Sequence, residues 1–429
     1  MRTGIQKILA TVLVVLAQCA VAMGEPNNAI APPIVEPNRF LTLEDYVNYA
    51  EAHNAGLKSS YQQWVAATEE AMQAKSLPEP QFTYVQEADV YERQMLIITQ
   101  MFPWFGKVSA RAETAVRNAE AAKQKYQAAR LLLIKDVKSD FHEYAYLTKA
   151  INIARENIEL MKRFEEIAMP KRLTADTNQP DVIRARAETA KLEATLKGLE
   201  RLCEPTVSRL KAALNLPAEM NLPAPEQEDF EPVALDYELL VNLLRQKNPE
   251  LVGLGFEAMA AKSKIKLAEK SFYPDVGIGL QFEQMKRPGA NTQDSSKNAM
   301  LMLLLNLPLW QDSYRSEQRR AVAEATSIGQ QRIEAENNIL TKASQAYYEY
   351  NDSVRRIGLY RETLIPKAEE QLRSSEAAYK GGSADFITLL DGQQTLMDYR
   401  LAYQRVLADN RQKLAEMEML AGTSIDKQQ

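Results

Sequence analysis

Cysteine and histidine are scarce in this chain of 429 residues, which contains two of each. Beyond the first twenty residues Cys203 is the only cysteine, so no intramolecular disulfide is predicted once the N-terminus is removed. His53 and His142 fall in different predicted helices and lack the spacing of zinc ligands. Catalytic signatures such as a Ser–His–Asp set, a Gly-rich phosphate loop or paired carboxylates are also missing. We therefore predict no enzyme activity, no metal site and no cofactor.

A basic excess is missing as well. Lys and Arg total 52 against 57 Asp and Glu, which gives a formal net charge of −5. A protein that binds the phosphate backbone of nucleic acid concentrates positive charge on one face or along one helix. The composition therefore predicts no nucleic-acid partner.

Glycine and proline are absent from residues 107–169. A continuous helix over that stretch would be a rod of roughly 95 Å, too long to fold into one compact core. From Ile134 to Met161 apolar residues recur at spacings of three and four, which indicates a heptad-like seam against other helices. The sequence predicts a matching long helix over 311–380, and shorter returning helices over 181–215 and 386–421.

The sequence contains an internal duplication. Asn54 and Leu57 recur as Asn248 and Leu251, and the segment at 80–82 recurs with similar character at 274–276. A repeated unit of this kind cannot bury its hydrophobic face alone, so it packs that face against the second copy. We predict a first repeat over 41–216, a Pro-rich linker over 217–234, a second repeat over 235–422 and a tail over 423–429.

The N-terminus has the features of an export signal. Arg2 and Lys7 precede an apolar run, and small residues at 20 and 22 suit a signal peptidase. We predict a signal peptide over 1–22, followed by an extended Pro-rich strap over 23–40. Whether Cys19 is lipidated stays open, because Gln18 is larger than the residue that usually precedes a lipidated cysteine.

Alternating segments predict two β-hairpins, over 80–102 and 274–308. Val276, Ile278 and Leu280 fall on one strand face and polar or small residues on the other, the pattern of a wall between an apolar and a polar phase. Four strands cannot close a barrel, and lipid does not tolerate open sheet edges, so several chains are expected to share one barrel. Aromatic side chains at the strand ends suit a membrane-interface belt: Phe102, Trp104, Phe105, Phe272, Tyr273 and Trp310.

Two methionines on the last strand have soft thioether sulfurs. Met300 and Met302 share one strand face and have the ligand chemistry that suits copper or silver. Methionine is far commoner as a packing residue. From the sequence we infer no copper site.

Four motifs occur in order and in duplicate. They are FPWFGK at 102–107, DVIRARAETAKLE at 181–193, NLPLWQDSYRSE at 306–317 and YKGGSADFITLLDGQQTL at 379–396. With them the chain resembles the TolC-like outer-membrane efflux protein family, and in particular the outer-membrane factors of resistance-nodulation-division exporters of the heavy-metal type.

The resemblance implies a mainly α fold with a β-barrel segment, built from a duplicated unit of helix, β-hairpin and long helical hairpin. It implies a homotrimer with a shared 12-stranded transmembrane barrel in the outer membrane of a Gram-negative bacterium, and an α-helical tunnel in the periplasm. The implied partners are outer-membrane lipid, a periplasmic adaptor protein and an inner-membrane resistance-nodulation-division pump. The implied role is passive export of metal cations or small toxic molecules.

The resemblance also implies a closed aperture at the tips of the helical hairpins. The candidate residues here are Asp391, Asp181, Thr388, Tyr379 and Asp385. Thr388 departs from the family, which often has an acidic residue there. For Asp181 and Asp385 the alternative is that each stabilises the N-terminus of its own helix.

Two other functions stay open at the level of sequence. The same scaffold would serve a type I secretion duct that exports polypeptides. A secreted structural coiled coil without a pore would share the long helices but not the membrane-facing strands. The substrate and the partner pump are not predicted, because a wide tunnel wall carries little information about selection.

Overall fold

The computed structural model describes residues 42–88, 92–169, 179–225, 230–286 and 296–425. The predicted signal peptide with Cys19, the strap over 23–40 and most of the first hairpin tip lie outside the described residues. So do parts of the strand-connecting loops, of the linker and of the C-terminal tail.

The described chain is mainly helical and contains one four-stranded sheet, as the sequence predicted. In the first repeat the elements are α1 (Leu43–His53), α2 (Ala55–Gln73), β1 (Gln81–Ala88), β2 (Glu92–Phe102), α3 (Lys107–Ala168) and α4 (Gln179–Leu214). In the second repeat they are α5 (Tyr237–Lys247), α6 (Pro249–Lys270), β3 (Asp275–Lys286), β4 (Ser296–Asn306), α7 (Gln311–Leu359), a π-helix (Tyr360–Leu364), α8 (Ile365–Lys380) and α9 (Phe386–Ala421).

The repeated asparagines have the same two roles in both repeats. The Asn54 side-chain oxygen accepts the Leu57 N–H at 2.8 Å and so caps α2. The Asn248 oxygen accepts the Leu251 N–H at 3.1 Å and caps α6. Each side-chain amide also donates to a carbonyl near the end of the returning helix, of Ala213 and of Leu420 respectively. These bonds explain why Asn recurs with Leu three residues later.

The two long helical segments differ in continuity. Helix α3 is one uninterrupted helix of 62 residues, and Val137, Leu147 and Met161 on its seam are fully buried. In the second repeat the π-helix separates α7 from α8, and Pro366 follows it in the first turn of α8. No helix in the described part of the chain combines the length and the apolarity needed to cross a membrane.

The sheet joins the two repeats. Its order is β1-β2-β3-β4 with antiparallel neighbours, so the central β2–β3 pair links one hairpin to the other. The face that we call the apolar face carries side chains that are 40% to 73% exposed: Phe82, Tyr84, Leu96, Ile278, Leu280, Phe282, Leu301, Leu303 and Leu305. The other face, the mixed face, carries Thr83, Val85, Arg93, Met95, Ile97, Thr99, Met101, Gly277, Gly279, Gln281, Glu283, Met285, Asn298, Met300, Met302 and Leu304.

Candidate functional site: the strand-to-helix corner and the hairpin tips

The chain turns from β2 into α3 at a corner, residues 102–107, that is bonded to the start of β3. Gly106 has a φ of +83°, a conformation that favours glycine. A Cβ at this position would lie 2.8 Å from the Lys270 Cε. The Lys107 ammonium lies 2.7 Å from the Asp275 carboxylate, which also accepts the Trp104 N–H at 2.8 Å. Lys107 and the Trp104 N–H thus form, with Asp275, a cross-repeat clamp between the two hairpins.

Aromatic side chains surround this corner. The ring of Trp104 stacks on Tyr273 with centroids 5.5 Å apart and packs edge-on against Phe105. Phe105 is 84% exposed and Trp310, at the second corner, is 80% exposed. Phe102 and Tyr273 are also exposed. Their assignment to a membrane interface stays a prediction.

At the other end of the molecule the two helical hairpins pack on each other. The buried tip cluster consists of Ile158, Met161, Phe164, Ala168, Val182, Ala185, Leu192, Tyr379, Phe386 and Leu389. These side chains come from α3 and α4 of the first repeat and from α8 and α9 of the second. The two hairpin tips of one chain therefore share one hydrophobic core and do not pack separately.

Two of the predicted aperture residues meet at this cluster. The Tyr379 hydroxyl donates to the Asp181 carboxylate across 3.4 Å, which ties α8 to the first turn of α4. Burial of the phenol, followed by the negative charge of Asp181, raises the pKa of Tyr379 to about 12. The phenol therefore stays protonated and remains a donor at neutral pH. Asp181 also lies where the helix dipole favours an acidic side chain.

The other aperture candidates lie on the outer side of the tip. Asp385 occupies the N-cap position of α9, but its side chain makes no capping hydrogen bond. Thr388 and Asp391 are exposed and lie three residues apart on α9, opposite the buried Phe386 and Leu389. The structure thus brings Asp181 and Tyr379 together and places Thr388 and Asp391 on a separate, exposed face. The role of these residues in a gate stays a prediction.

Sequence reasoning missed a buried polar bond near the tip. The Gln393 side-chain amide donates to the side-chain oxygen Oδ1 of Asn157 at 2.5 Å, and both residues are buried. Close by, the Arg400 guanidinium pairs with Glu369 at 2.7 Å. Gln393 belongs to the DGQQTL segment of the fourth motif, and a polar residue beside an apolar seam was the available signal. These bonds join α9 to the first repeat and to α8.

Metal ligands of the usual kinds do not converge in the described residues: no group of three His, Cys, Asp or Glu side chains is placed to hold a metal ion. That finding concerns nitrogen, thiolate and carboxylate ligands.

Comparisons with known proteins place this geometry in a family. A family model described as outer membrane efflux protein matches residues 240–423. The cobalt-zinc-cadmium resistance protein CzcC of Cupriavidus metallidurans is 23% identical over 419 residues, which cover 94% of this chain and 95% of that protein. The probable outer membrane lipoprotein SilC of Salmonella typhimurium is 22% identical over 70% of this chain and 67% of its own length. A crystal structure of CusC superposes with a TM-score of 0.77 at 14% identity, over 94% of this chain and 97% of that one.

The chain is thus similar to TolC-like outer membrane efflux proteins, over residues 240–423 by the family model and over 94% of its length by the alignment with CzcC. The resemblance drawn from the four motifs is thereby confirmed. The protein is located in the outer membrane of a Gram-negative bacterium and extends into the periplasm, as predicted. Its role is that of an efflux channel, and the family consists of channel proteins and not of enzymes.

Proposed function

We propose that this chain is the outer-membrane component of a tripartite efflux system, a passive conduit that exports metal cations. Three copies form one channel. The observation that carries the proposal is the four-stranded sheet, which has a widely exposed apolar face and a strand with a single neighbour at each end.

The sheet supports assembly because its edges need partners. Strands β1 and β4 each have one neighbour among the described strands, and β4 is 11 residues long. A tilted strand of about nine to eleven residues crosses a bilayer, and lipid offers no hydrogen bonds to an open edge. Joining β4 of one copy to β1 of the next satisfies both edges. Three copies of a four-stranded sheet then close as twelve strands.

The duplication supports the same arrangement for the helices. Within the chain, α3 packs against α6, with Lys125 bonded to Glu257 at 2.7 Å. Helix α7 is the counterpart of α3 in the second repeat, and α2 is the counterpart of α6 in the first repeat. Both carry exposed apolar side chains: Val322 and Ile333 on α7, and Tyr61 and Met72 on α2. In a ring of copies, α7 of one chain covers α2 of the next in the way that α3 covers α6.

The exposed face of α9 suits a cation-selective aperture. A threefold axis would place three copies of Asp391 around one bore, where like charges attract cations and repel each other. We expect Asp391→Ala to raise single-channel conductance in planar bilayers and to weaken block by divalent cations. Asp385→Ala is the companion variant: the same effect would add Asp385 to the aperture, and no effect would leave it with a role only at the N-terminus of its own helix. Unchanged conductance and block in Asp391→Ala would remove this residue from the gate.

The substrate and the partners are proposed from the relatives. CzcC is named for cobalt, zinc and cadmium resistance and aligns over nearly the full length of both chains. We assign metal cations as the substrate class on that basis. A periplasmic adaptor and an inner-membrane resistance-nodulation-division pump would supply the substrate and the energy, while the channel supplies a water-filled path.

Deletion of the gene, combined with purification, tests the proposal. We expect the deletion strain to become more sensitive to cobalt, zinc or cadmium and the full chain to restore resistance. Purified in detergent, the protein should have the mass of three copies. Unchanged metal sensitivity with increased sensitivity to drugs would redirect the substrate class. A monomer that is soluble without detergent would overturn the channel.

A further inference from the structure

All five methionines of the sheet lie on the mixed face. They are Met95 and Met101 on β2, Met285 on β3, and Met300 and Met302 on β4. The pairing register places each of them opposite or among the β3 residues 277, 279, 281, 283 and 285. The apolar face contains Leu, Ile, Phe, Val and Tyr side chains but no methionine in the described strands.

The register arranges these five side chains as a ladder. Met101 lies opposite Gly277, Met302 opposite Gly279, Met300 opposite Gln281, and Met95 opposite Glu283. Met285 itself forms the next step along β3. Each of the five successive β3 positions on this face thus has one methionine opposite it or is itself a methionine. The five steps span roughly 27 Å of strand at about 3.3 Å per residue. We call this set the thioether ladder.

Two glycines make room for the ladder. A Cβ on Gly277 would collide with the Met101 sulfur, and a Cβ on Gly279 would lie 3.0 Å from the Met302 methyl group. The two thioethers therefore lie across bare backbone on adjacent steps. Methionine has three rotatable side-chain bonds, so sulfurs on neighbouring steps can converge on one ion.

The ladder is not explained by core packing. Met300 is 55% exposed and none of the five residues is buried. The Met95 sulfur accepts a hydrogen bond from the Gln281 side-chain amide at 3.4 Å, so its lone pairs face polar groups. The formal charges nearby are already paired, Arg93 with Glu283 at 2.6 Å and Lys107 with Asp275. The other uncharged polar groups on this face include Thr83, Thr99 and Gln281, whose oxygen ligands are harder than the thioether sulfurs.

We propose that the thioether ladder binds soft monovalent cations, Cu(I) or Ag(I), along the inner wall of the strand region. The inference rests on the proposed function, which makes the mixed face the wall of the bore. Thioether ligands select Cu(I) over the harder divalent cations, whereas Zn²⁺ takes thiolate, imidazole and carboxylate ligands. A row of equivalent sites favours passage, because an ion that is bound weakly at several places can leave each of them. The binding step exchanges water for sulfur and changes no oxidation state.

Silver binding to the full chain tests the ladder. The probe is Ag(I) as nitrate in chloride-free detergent buffer, and all proteins carry Cys203→Ser so that the thiol contributes nothing. The ladder variant replaces Met95, Met101, Met285, Met300 and Met302 by Leu. The matched control replaces Met72 and Met259, two exposed helical methionines, by Leu. We expect the parent and the control to bind more Ag(I) than the ladder variant in equilibrium dialysis, while Zn²⁺ binding is the same in all three proteins.

A second variant guards against misfolding. Met300→Leu with Met302→Leu changes only β4 and should lose part of the bound Ag(I) while keeping the far-ultraviolet circular dichroism and the detergent-solubilised mass of the parent. Retention of the parent's Ag(I) content by the ladder variant overturns the inference. The proposed function has its own readout: a ladder variant that loses Ag(I) but still restores zinc resistance supports both. Loss of Ag(I) by the ladder variant in a protein that stays monomeric supports the site and overturns the channel.

Discussion

The two repeats have the same order of elements but differ where the long helix begins and where it approaches the tip. In the first repeat α3 is continuous and its corner is clamped to β3 through Lys107 and Asp275. In the second repeat a π-helix interrupts the corresponding helix, and the corner at Trp310 is exposed. The corner of repeat 1 is therefore held by an ion pair within the chain.

The long helix is interrupted only in the second repeat, where the local helix geometry accommodates a proline. Pro366 has no N–H to donate, and the chain absorbs this by widening to the π-helix at Tyr360–Leu364 before the proline. The aligned position in repeat 1, at the offset that matches Arg155 with Arg361, is Leu160, which packs against the tip cluster. One helix is adapted to a proline at this position, and the other has a partly buried leucine that packs against the tip cluster.

The largest effect is expected when a proline is placed at position 160, and it is compared with removal of the proline at position 366. We expect Leu160→Pro to cost at least about 3 kcal/mol, because proline removes a hydrogen bond inside a regular helix and clashes with the preceding turn. Pro366→Ala should change stability by less than about 1 kcal/mol, since alanine fits any helical turn. Thermal unfolding followed by circular dichroism measures both. Leu160→Ala isolates the lost packing, and a Leu160→Pro protein no less stable than Leu160→Ala would contradict the argument.

The clamp gives the next largest effect. Asp275→Ala leaves the Lys107 ammonium, which is only 14% exposed, without its counterion and the Trp104 N–H without its acceptor. We expect a loss of about 2–3 kcal/mol in the free energy of unfolding. Asp312→Ala at the second corner is the control, because that side chain is fully exposed and lies 3.8 Å from Arg315, so its removal should leave the stability almost unchanged. Equal losses in the two variants would show that the acidic residue stabilises both corners to the same extent.

The sequence contained the local signals of this architecture. The absence of glycine and proline over 107–169 corresponds to a helix over Lys107–Ala168, and the recurring Asn with Leu corresponds to two equivalent helix caps. Both depend on residues close in the chain, where backbone sterics and capping act directly. The alternation over 276–282 likewise indicated which strand face is apolar.

Contacts between distant segments were beyond sequence reasoning. The pairing of β2 with β3 decides that Met95 and Met101 join Met300 and Met302 on one face, and no pattern within either hairpin reveals that register. The bond between Gln393 and Asn157 joins residues 236 positions apart. The π-helix also escaped notice, because Gly358 and Pro366 suggest a bend but not an extra residue in the turn.

A smaller effect tests how the second repeat is held to α3. Gln393→Leu keeps the side-chain volume but leaves the buried Asn157 oxygen without the Gln393 donor, which should cost about 1–2 kcal/mol. Gln394→Leu changes the neighbouring exposed residue and should be nearly neutral. Chemical denaturation of the purified protein measures the difference. Two equally stable variants would mean that apolar packing alone joins α9 to α3.

The smallest predicted effect depends on pH and compares His142 with Tyr348, which occupies the aligned position of repeat 2. Tyr348 is exposed, whereas His142 lines a cavity of about 30 Å³ with Phe230 and Arg411. Burial, and then the positive charges of Arg411 and Lys138, lower the pKa of His142 to about 3. Between pH 6.5 and pH 3 the unfolded chain therefore binds a proton that the folded chain does not, so folding becomes less favourable as the pH falls.

Between pH 7 and pH 5.5 this histidine should account for about 1 kcal/mol of lost stability. The carboxylates also titrate as the solution becomes more acidic, so the useful quantity is the difference between the wild-type protein and His142→Gln, which keeps a polar side chain that does not titrate. The wild-type melting temperature should fall more steeply than that of the variant over this interval. Parallel curves would mean that His142 accepts its proton in the folded state as readily as in the unfolded state. Its position beside the cavity would then not lower its pKa.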